Sequence, residues 1–335
     1  MFANCLRTIA VALVLLPAMA SAEPIKLKLS YYTSDREVAY RIAVKPFVDS
    51  VNAAAKGLLE IEVFTSGSLG KSYRGQLQLV LDGVADIAFV NPALTPARFP
   101  DDAVFELPGL FRDAREASFA YTRLLAAGAL RGYEDFFVVG SLDGGPQSIH
   151  VRPPISSLKD LQGKKIRTSN QTEAAVLNAL GMAAEVMPLN QTAEAISRGA
   201  IDGTTAPPVV LIEFGISRVA SYHYDMRLGF APLLILMNKK KFDSLPNDSQ
   251  DIIRKFSGEW LTAHFLETFD TINDLMLEQL KSDPKRAFVV PSAADFATAQ
   301  AVFTSIRNDW VAASLHNRAL LTQVETQISN LRNAE

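Results

Sequence analysis

GVADIAFVNP (Gly83–Pro92) and GAIDGTTAPP (Gly199–Pro208) follow one grammar, although they lie far apart in the chain. In each, a helical stretch ends at a glycine, a G-x-x-D turn follows, then a strand, then proline. Glycine suits the left-handed position that closes a helix, and proline ends a strand by removing a ladder donor. The reading is two α/β lobes built alike, each sending a strand end toward a common cleft. Chance recurrence of ordinary turn chemistry is the alternative at this point.

The surrounding sequence extends this pattern. Ile25–Ser30 (IKLKLS) alternates apolar and polar residues as a strand does. Glu37–Ala55 then places Val38, Ile42, Phe47 and Val51 at helical spacing, and Leu59–Phe64 (LEIEVF) alternates again. Strand, helix, strand implies a parallel sheet. Gln76–Leu81 reads as a helix and Ile87–Val90 as a buried strand. The second half repeats the order, with strands at Lys165–Arg167, at Ala184–Met187 and after Asp202, and helices at Thr172–Leu180 and Ala193–Ser197. Two long helices close the chain. Ser249–Leu280 has no proline and one glycine, Gly258, and follows the N-cap pair Asn247-Asp248; Ala293 to about Asn330 is the other. The first would span roughly 45 Å, enough to run past both lobes as a spine.

With 335 residues, 48% hydrophobic and 21% charged, the chain has the size and balance of a globular protein with two ordinary domains. Its net charge of −3 gives no bulk attraction to nucleic acid or anionic lipid. Residues 1–22 differ from the rest. Arg7 is their only charged side chain, Ile9–Leu16 is an apolar run, and Ala20-Ser21-Ala22 follows Pro17. These are the parts of a secretory signal cleaved after Ala22. The alternative, a membrane anchor, requires a longer apolar stretch. The only cysteine, Cys5, lies inside that signal, so the mature chain is expected to have no disulfide, thiol nucleophile or thiolate metal site.

Catalytic signatures are not found. His150, His223, His264 and His316 form no metal spacing, and no G-x-S-x-G, P-loop or dinucleotide loop occurs. Ser66–Gly70 (SGSLG) is glycine-rich but lacks the phosphate-loop lysine. Neither cofactor nor metal is expected, and no enzymatic activity. Export, two α/β lobes and an unsigned cleft point to ligand capture, because ligands bind beyond the carboxyl ends of parallel strands. Arg167 stands at such an end, and its planar fork matches a carboxylate. Beside Lys164 and Lys165, it can equally be read as a solvated surface charge.

Three stretches carry a resemblance. They are Ser66–Gly70 through Gly83–Asp86 to Phe105–Pro108, then PISSLKDLQGKKIR (Pro154–Arg167), then Gly199–Gly203 with Pro207. Together they resemble the extracytoplasmic solute-binding subunits of TRAP transporters, of the C4-dicarboxylate-binding type, over nearly all of the mature chain. The resemblance implies an α/β, two-lobed periplasmic binding protein with a ligand cleft between the lobes and a long spine helix. It implies lobe I from 23–146 plus 232–271 and lobe II from 147–231 plus 272–335. The implied partners are a small organic acid and the TRAP membrane permease subunits, with the protein a monomer in the periplasm and no nucleic acid involved. The family's carboxylate-binding arginine falls on Arg167.

The chain departs from the family pattern at three positions. Gln147 stands where a second arginine is common, Ala206 where asparagine precedes the proline (here Pro207), and Leu189 where an aromatic follows Pro188. One carboxylate with a less polar body fits these changes better than a dicarboxylate or sugar acid. Strand-end logic adds Asn91, Asn170, Tyr31, Tyr32 and Phe230 to the cleft, with lobe packing the alternative for each. The rival functions are a binding protein for an ATP-driven importer, a sensor partner, and an exported enzyme.

Overall fold

The computed structural model describes residues 23–334. The expected signal, 1–22, lies outside them. In chain order the first half holds β1 (Ile25–Ser30), α1 (Lys45–Ala55), β2 (Leu59–Phe64), α2 (Gln76–Leu81), β3 (Ile87–Val90), α3 (Ala114–Ala126) and β4 (Phe136–Leu142). Next come β5 (Ser148–Val151), β6 (Lys165–Thr168), α4 (Gln171–Ala179), β7 (Ala183–Val186), α5 (Thr192–Ser197), β8 (Gly203–Ala206), α6 (Pro208–Glu213) and β9 (Tyr222–Tyr224). The chain ends with β10 (Leu233–Asn238), α7 (Lys239–Asp243), α8 (Asn247–Lys255), α9 (Glu259–Lys281), β11 (Ala287–Val289), α10 (Ala293–Ala312) and α11 (Leu315–Asn333).

These strands form two sheets. One has the order β2-β1-β3-β10-β4, the other β11-β9-β5-β8-β6-β7. The alternation in β1 is realised as written: Leu27 and Leu29 are buried while Lys26 and Lys28 face water. β1 is parallel to β2 and β3, and β6 is parallel to β7 and β8, whereas β10 and β5 run antiparallel to their neighbours. The chain crosses between sheets through 143–147 and again through 225–232. The two crossings pair with each other: the Gln147 N–H donates to Gly229 O (3.1 Å) and the Leu228 N–H to Gln147 O (2.8 Å).

The recurring turn has the same geometry in both sheets. Gly83 and Gly199 sit at φ 70° and 71°, where a side chain would be strained. The Asp86 carboxylate accepts the Lys28 N–H at 2.7 Å, and Asp202 accepts the Lys165 N–H at 2.8 Å. Each aspartate also returns its own N–H to the carbonyl of that same lysine, at 2.9 and 2.8 Å. Four matching bonds exclude coincidence. The G-x-x-D turn is a clamp between adjacent parallel strands, used once per lobe.

The long helices differ from expectation. Ser249–Leu280 is two helices, α8 and α9, separated by 256–258. Gly258, at φ 63° and ψ −129°, turns the chain and donates its N–H to Val139 O on β4 (2.8 Å). Tertiary seating overrides local helix propensity there. α9 still spans both lobes. Over its 23 residues, about 35 Å, Leu261, Phe265, Leu266 and Phe269 enter the core beside the first sheet, while Leu280 joins Ile196, Ile201 and Leu211 in the second. Gly140 allows the approach, since a Cβ there would lie 2.2 Å from Leu261 Cδ2.

The C-terminal helix also breaks, at 313–314, where the Ser314 hydroxyl caps α11 by accepting the Asn317 N–H (3.0 Å). α10 lies on α4 and places Phe303 in the second core. The expectation put all of 272–335 in lobe II, but α11 packs on α3, and its Leu320, Val324 and Ile328 enter a core of the first lobe. Arg332 anchors it by pairing with the buried Glu116 (2.7 Å).

Candidate ligand-binding site

Strand alternation places Arg167. In β6, Ile166 is fully buried in the second core, so Arg167 faces the other side, toward the cleft at the strand's carboxyl end. Only 3% of Arg167 is exposed. Its Nε donates to Met187 O (2.9 Å), and its two terminal nitrogens make no hydrogen bond within the described residues. The fork is thus fixed at its base and open at its tip. Burial lowers the guanidinium pKa to about 10, opposed by the charges of Glu173 and Tyr73, so the group stays cationic at neutral pH. Glu173 is held beneath it by hydroxyl donors, Thr168 and Thr205 (the latter at 2.9 Å), and burial raises its pKa.

The fork opens into a cavity of about 90 Å³. Asn91 and Gly144 of the first lobe and its crossing, and Gln147, Ser169, Thr205, Ala206 and Pro207 of the second, converge there, with Leu189, Val210 and Leu233 as apolar walls. The Gln147 side chain is buried and makes no hydrogen bond within the described residues. Asn91 caps its own short turn by accepting the Ala93 N–H (3.0 Å) and stands beside the Tyr73 hydroxyl, which burial pushes up to about 12. The Ala206 carbonyl accepts from His150 Nε2 (2.9 Å), which fixes that nitrogen as the protonated one. Among the described residues, Arg167 is the only cation on the lining.

An apolar annex of about 100 Å³ adjoins this cavity and shares Tyr73, Gly144, Leu189, Val210 and Leu233 with it. Its own lining adds Glu37, Glu213, Tyr31 and Tyr32. The Tyr32 ring stacks on Tyr73 (5.2 Å between centroids), and its hydroxyl accepts from Asn190 Nδ2 across the cleft (3.1 Å). The Val38 N–H donates across the same gap to Glu213 (2.5 Å). These two bonds tie the lobes together across the cleft.

Residues 29–312 match the family model described as bacterial extracellular solute-binding protein, family 7. The chain belongs to this family. Among relatives of this solute-binding protein is the C4-dicarboxylate-binding periplasmic protein of Rhodobacter capsulatus, 26% identical over 294 residues and 87% of each chain. Solved structures similar to it include a marine-metagenome TRAP solute-binding protein specific for aromatic acids, in complex with 3-hydroxybenzoate. It has a TM-score of 0.84 and 25% identity, over 92% of this chain and 99% of that one. A TRAP solute-binding protein from Rhodoferax ferrireducens with benzoate gives the same four figures. The family is extracytoplasmic, with the two-lobed α/β fold described above.

Within this family member, the sequence-predicted site residues divide into three groups. Arg167, Gln147, Asn91, Ala206, Pro207 and Leu189 meet around one cavity. Tyr31 and Tyr32 line the annex instead. Two others lie elsewhere. Asn170 is the buried N-cap of α4, its Oδ1 accepting the Glu173 N–H (2.7 Å). Phe230 is a core residue, 2% exposed and edge-on to Phe111 at 5.5 Å. Sequence reasoning missed Tyr73, Ser169, Thr205, Glu37 and Glu213. Ser169 was within reach, since it follows β6 directly.

Proposed function

We propose that this family member captures a small organic monocarboxylate in the periplasm, after cleavage of 1–22, and delivers it as a monomer to a TRAP membrane permease. The observation carrying this reading is the Arg167 fork, fixed by Met187 O and otherwise unengaged, beside the unbonded Gln147 amide. A carboxylate can accept both terminal N–H groups in parallel. Apolar walls, one cation, and the two carboxyls of the annex all disfavour a second anionic group on the ligand. The aromatic-acid ligands of the similar structures agree with that balance. The annex that extends the cavity leaves room for a body larger than the carboxylate alone.

The test is a thermal-shift screen of aliphatic and aromatic mono- and dicarboxylates, followed by calorimetry on the hits. Ligands that bind only the folded state raise its melting temperature. Monocarboxylates with apolar bodies are expected to dominate the hits. A screen in which C4-dicarboxylates or sugar acids win by tenfold or more, or in which no acid binds, overturns the reading.

A further inference from the structure

The annex contains chemistry that a plain apolar acid leaves unused. Glu37 spends one oxygen on two donors, the hydroxyls of Thr33 (2.6 Å) and Tyr31 (3.0 Å). Glu213 spends one oxygen on the Val38 N–H. The other oxygen of each makes no hydrogen bond within the described residues. The two carboxyls come from opposite lobes, Glu37 from the segment before α1 and Glu213 from the end of α6, and Glu37 is near enough to help raise the pKa of Glu213. Around them stand Phe89, Leu142, Val209, Phe214, Phe265 and Phe269.

We propose that Glu37 and Glu213 form a second recognition subsite, which accepts a hydrogen-bond donor, a hydroxyl or an ammonium, at the end of the ligand remote from the carboxylate on Arg167. The inference rests on the Arg167 reading above, because it takes that arginine as the anchor of the other end. Three facts support it. The cavity and annex adjoin, with five lining residues in common, which sets them within reach of one molecule. Each of the two part-buried carboxyls keeps one oxygen free of protein donors, so an incoming donor finds an acceptor already in place. Burial first, and then the charge of Glu37, raise Glu213 to about 7 against the opposing Val38 N–H bond and Arg41, so the annex favours a positive or donor group. A donor placed between the lobes would also bond to both of them, so the same contact that reads the ligand would favour closure. The annex is therefore the discriminating end of the cleft and Arg167 the common end.

Two matched series test this on the full mature chain: benzoate, 3-hydroxybenzoate and 3-(aminomethyl)benzoate, then valerate, 5-hydroxyvalerate and 5-aminovalerate. In at least one series the donor-bearing acid is expected to bind about tenfold or more tightly than its parent. A gain confined to the ammonium compounds identifies a charge subsite, and a gain shared with the hydroxy acids a neutral one; both support the proposal. Glu213→Ala and Glu37→Ala should each reduce the ratio of donor-bearing to parent affinity. Glu213→Ala also removes the Val38 bond across the cleft and is expected to weaken the parent acids as well, so the ratio is the readout. Glu213→Gln, closer in shape, should remove the ammonium preference and keep part of the hydroxyl one, and melting curves confirm folding of all three. Parent acids that bind without any donor advantage, or an advantage that survives both alanine variants, overturn this inference and leave the Arg167 reading intact. Failure of every acid in both series overturns the Arg167 reading itself.

Discussion

Replacing Arg167 is the sharpest test of how the cleft holds its ligand. Arg167→Ala removes the only cation lining the cavity and both donors of its free fork. A hydrogen bond to a charged group contributes about 1.5–3 kcal/mol. At about 1.4 kcal/mol per decade, loss of one such bond weakens binding roughly ten- to 150-fold. The upper part of that range is expected here. Only 3% of Arg167 is exposed, so it brings little hydration for the incoming carboxylate to displace. Its downward pKa shift has the same origin, since desolvation disfavours the charged form until a counter-ion arrives. Glu173, left without the cation, keeps its Thr168 and Thr205 donors and is expected to take up a proton, so its burial need not unfold the protein. Arg167→Lys separates charge from geometry. It keeps the cation but loses the Nε bond to Met187 O and the parallel fork, and an intermediate loss of about tenfold is expected. The assay is calorimetry on the best acid from the screen, with melting of the ligand-free variants as a check on folding. If Arg167→Ala weakens binding by less than threefold, or if lysine restores full affinity, the fork is not what holds the ligand.

Three further outcomes follow from the fold. Gly258→Ala should lower stability by about 1–3 kcal/mol in urea melts, because alanine is strained at φ 63°, ψ −129°. A continuous helix at 249–280 would instead gain about 1 kcal/mol from the same change, so the sign alone decides. Phe230→Ala should cost about 3–5 kcal/mol of stability yet leave ligand affinity within about threefold, since the ring packs on Phe111 and not in the cleft; a large affinity loss in calorimetry would return it to the site. Stability should fall as pH rises from about 4 to about 8. Asp102, Glu106 and Asp143 are buried, and burial raises their pKa values to about 7, 8 and 8. The folded state then holds protons that the unfolded chain releases near pH 4, so their contribution is complete below that and is lost through the raised values. Asp101 and Glu116, held low by Arg131 and Arg332, act the other way below about pH 4. His150 and His223, lowered by burial to about 4 and about 3, act the other way up to about pH 6.5, where the raised carboxyls outnumber them; above that the fall is steepest. A melting temperature flat or rising between pH 5 and pH 8 refutes this.

What the sequence revealed was whatever depends on neighbours in the chain. The G-x-x-D turn is local: a glycine supplies the turn and an aspartate three residues on reaches the next strand, so both copies were readable, as was Arg167 at a strand end. What stayed hidden depends on remote partners. The break at Gly258 is set by a carbonyl on β4, more than a hundred residues earlier, and helix propensity contains no trace of it. No local pattern says that α11 returns to the first lobe. Phe230 and Tyr31 both follow from strand-end placement, and that rule cannot tell a ring in the core from one at the wall. Glu213 sits at the end of an ordinary short helix. Its significance arises only from Val38 and Glu37 of the other lobe.

The return of α11 has a mechanical consequence. Besides 143–147, 225–232 and α9, the α10–α11 corner makes a fourth covalent tie between the two sheets, at a different place on the molecule. Two bodies joined by one strap can swing, twist and slide. Joined at four points, they retain little more than a single rotation, about an axis along which all four ties bend together. The ligand-free chain then wanders through few relative poses, and the entropy surrendered on capture is correspondingly small. Cutting the corner at 313–314, or removing α11, would restore the lost degrees of freedom and weaken binding without touching any residue in the cleft.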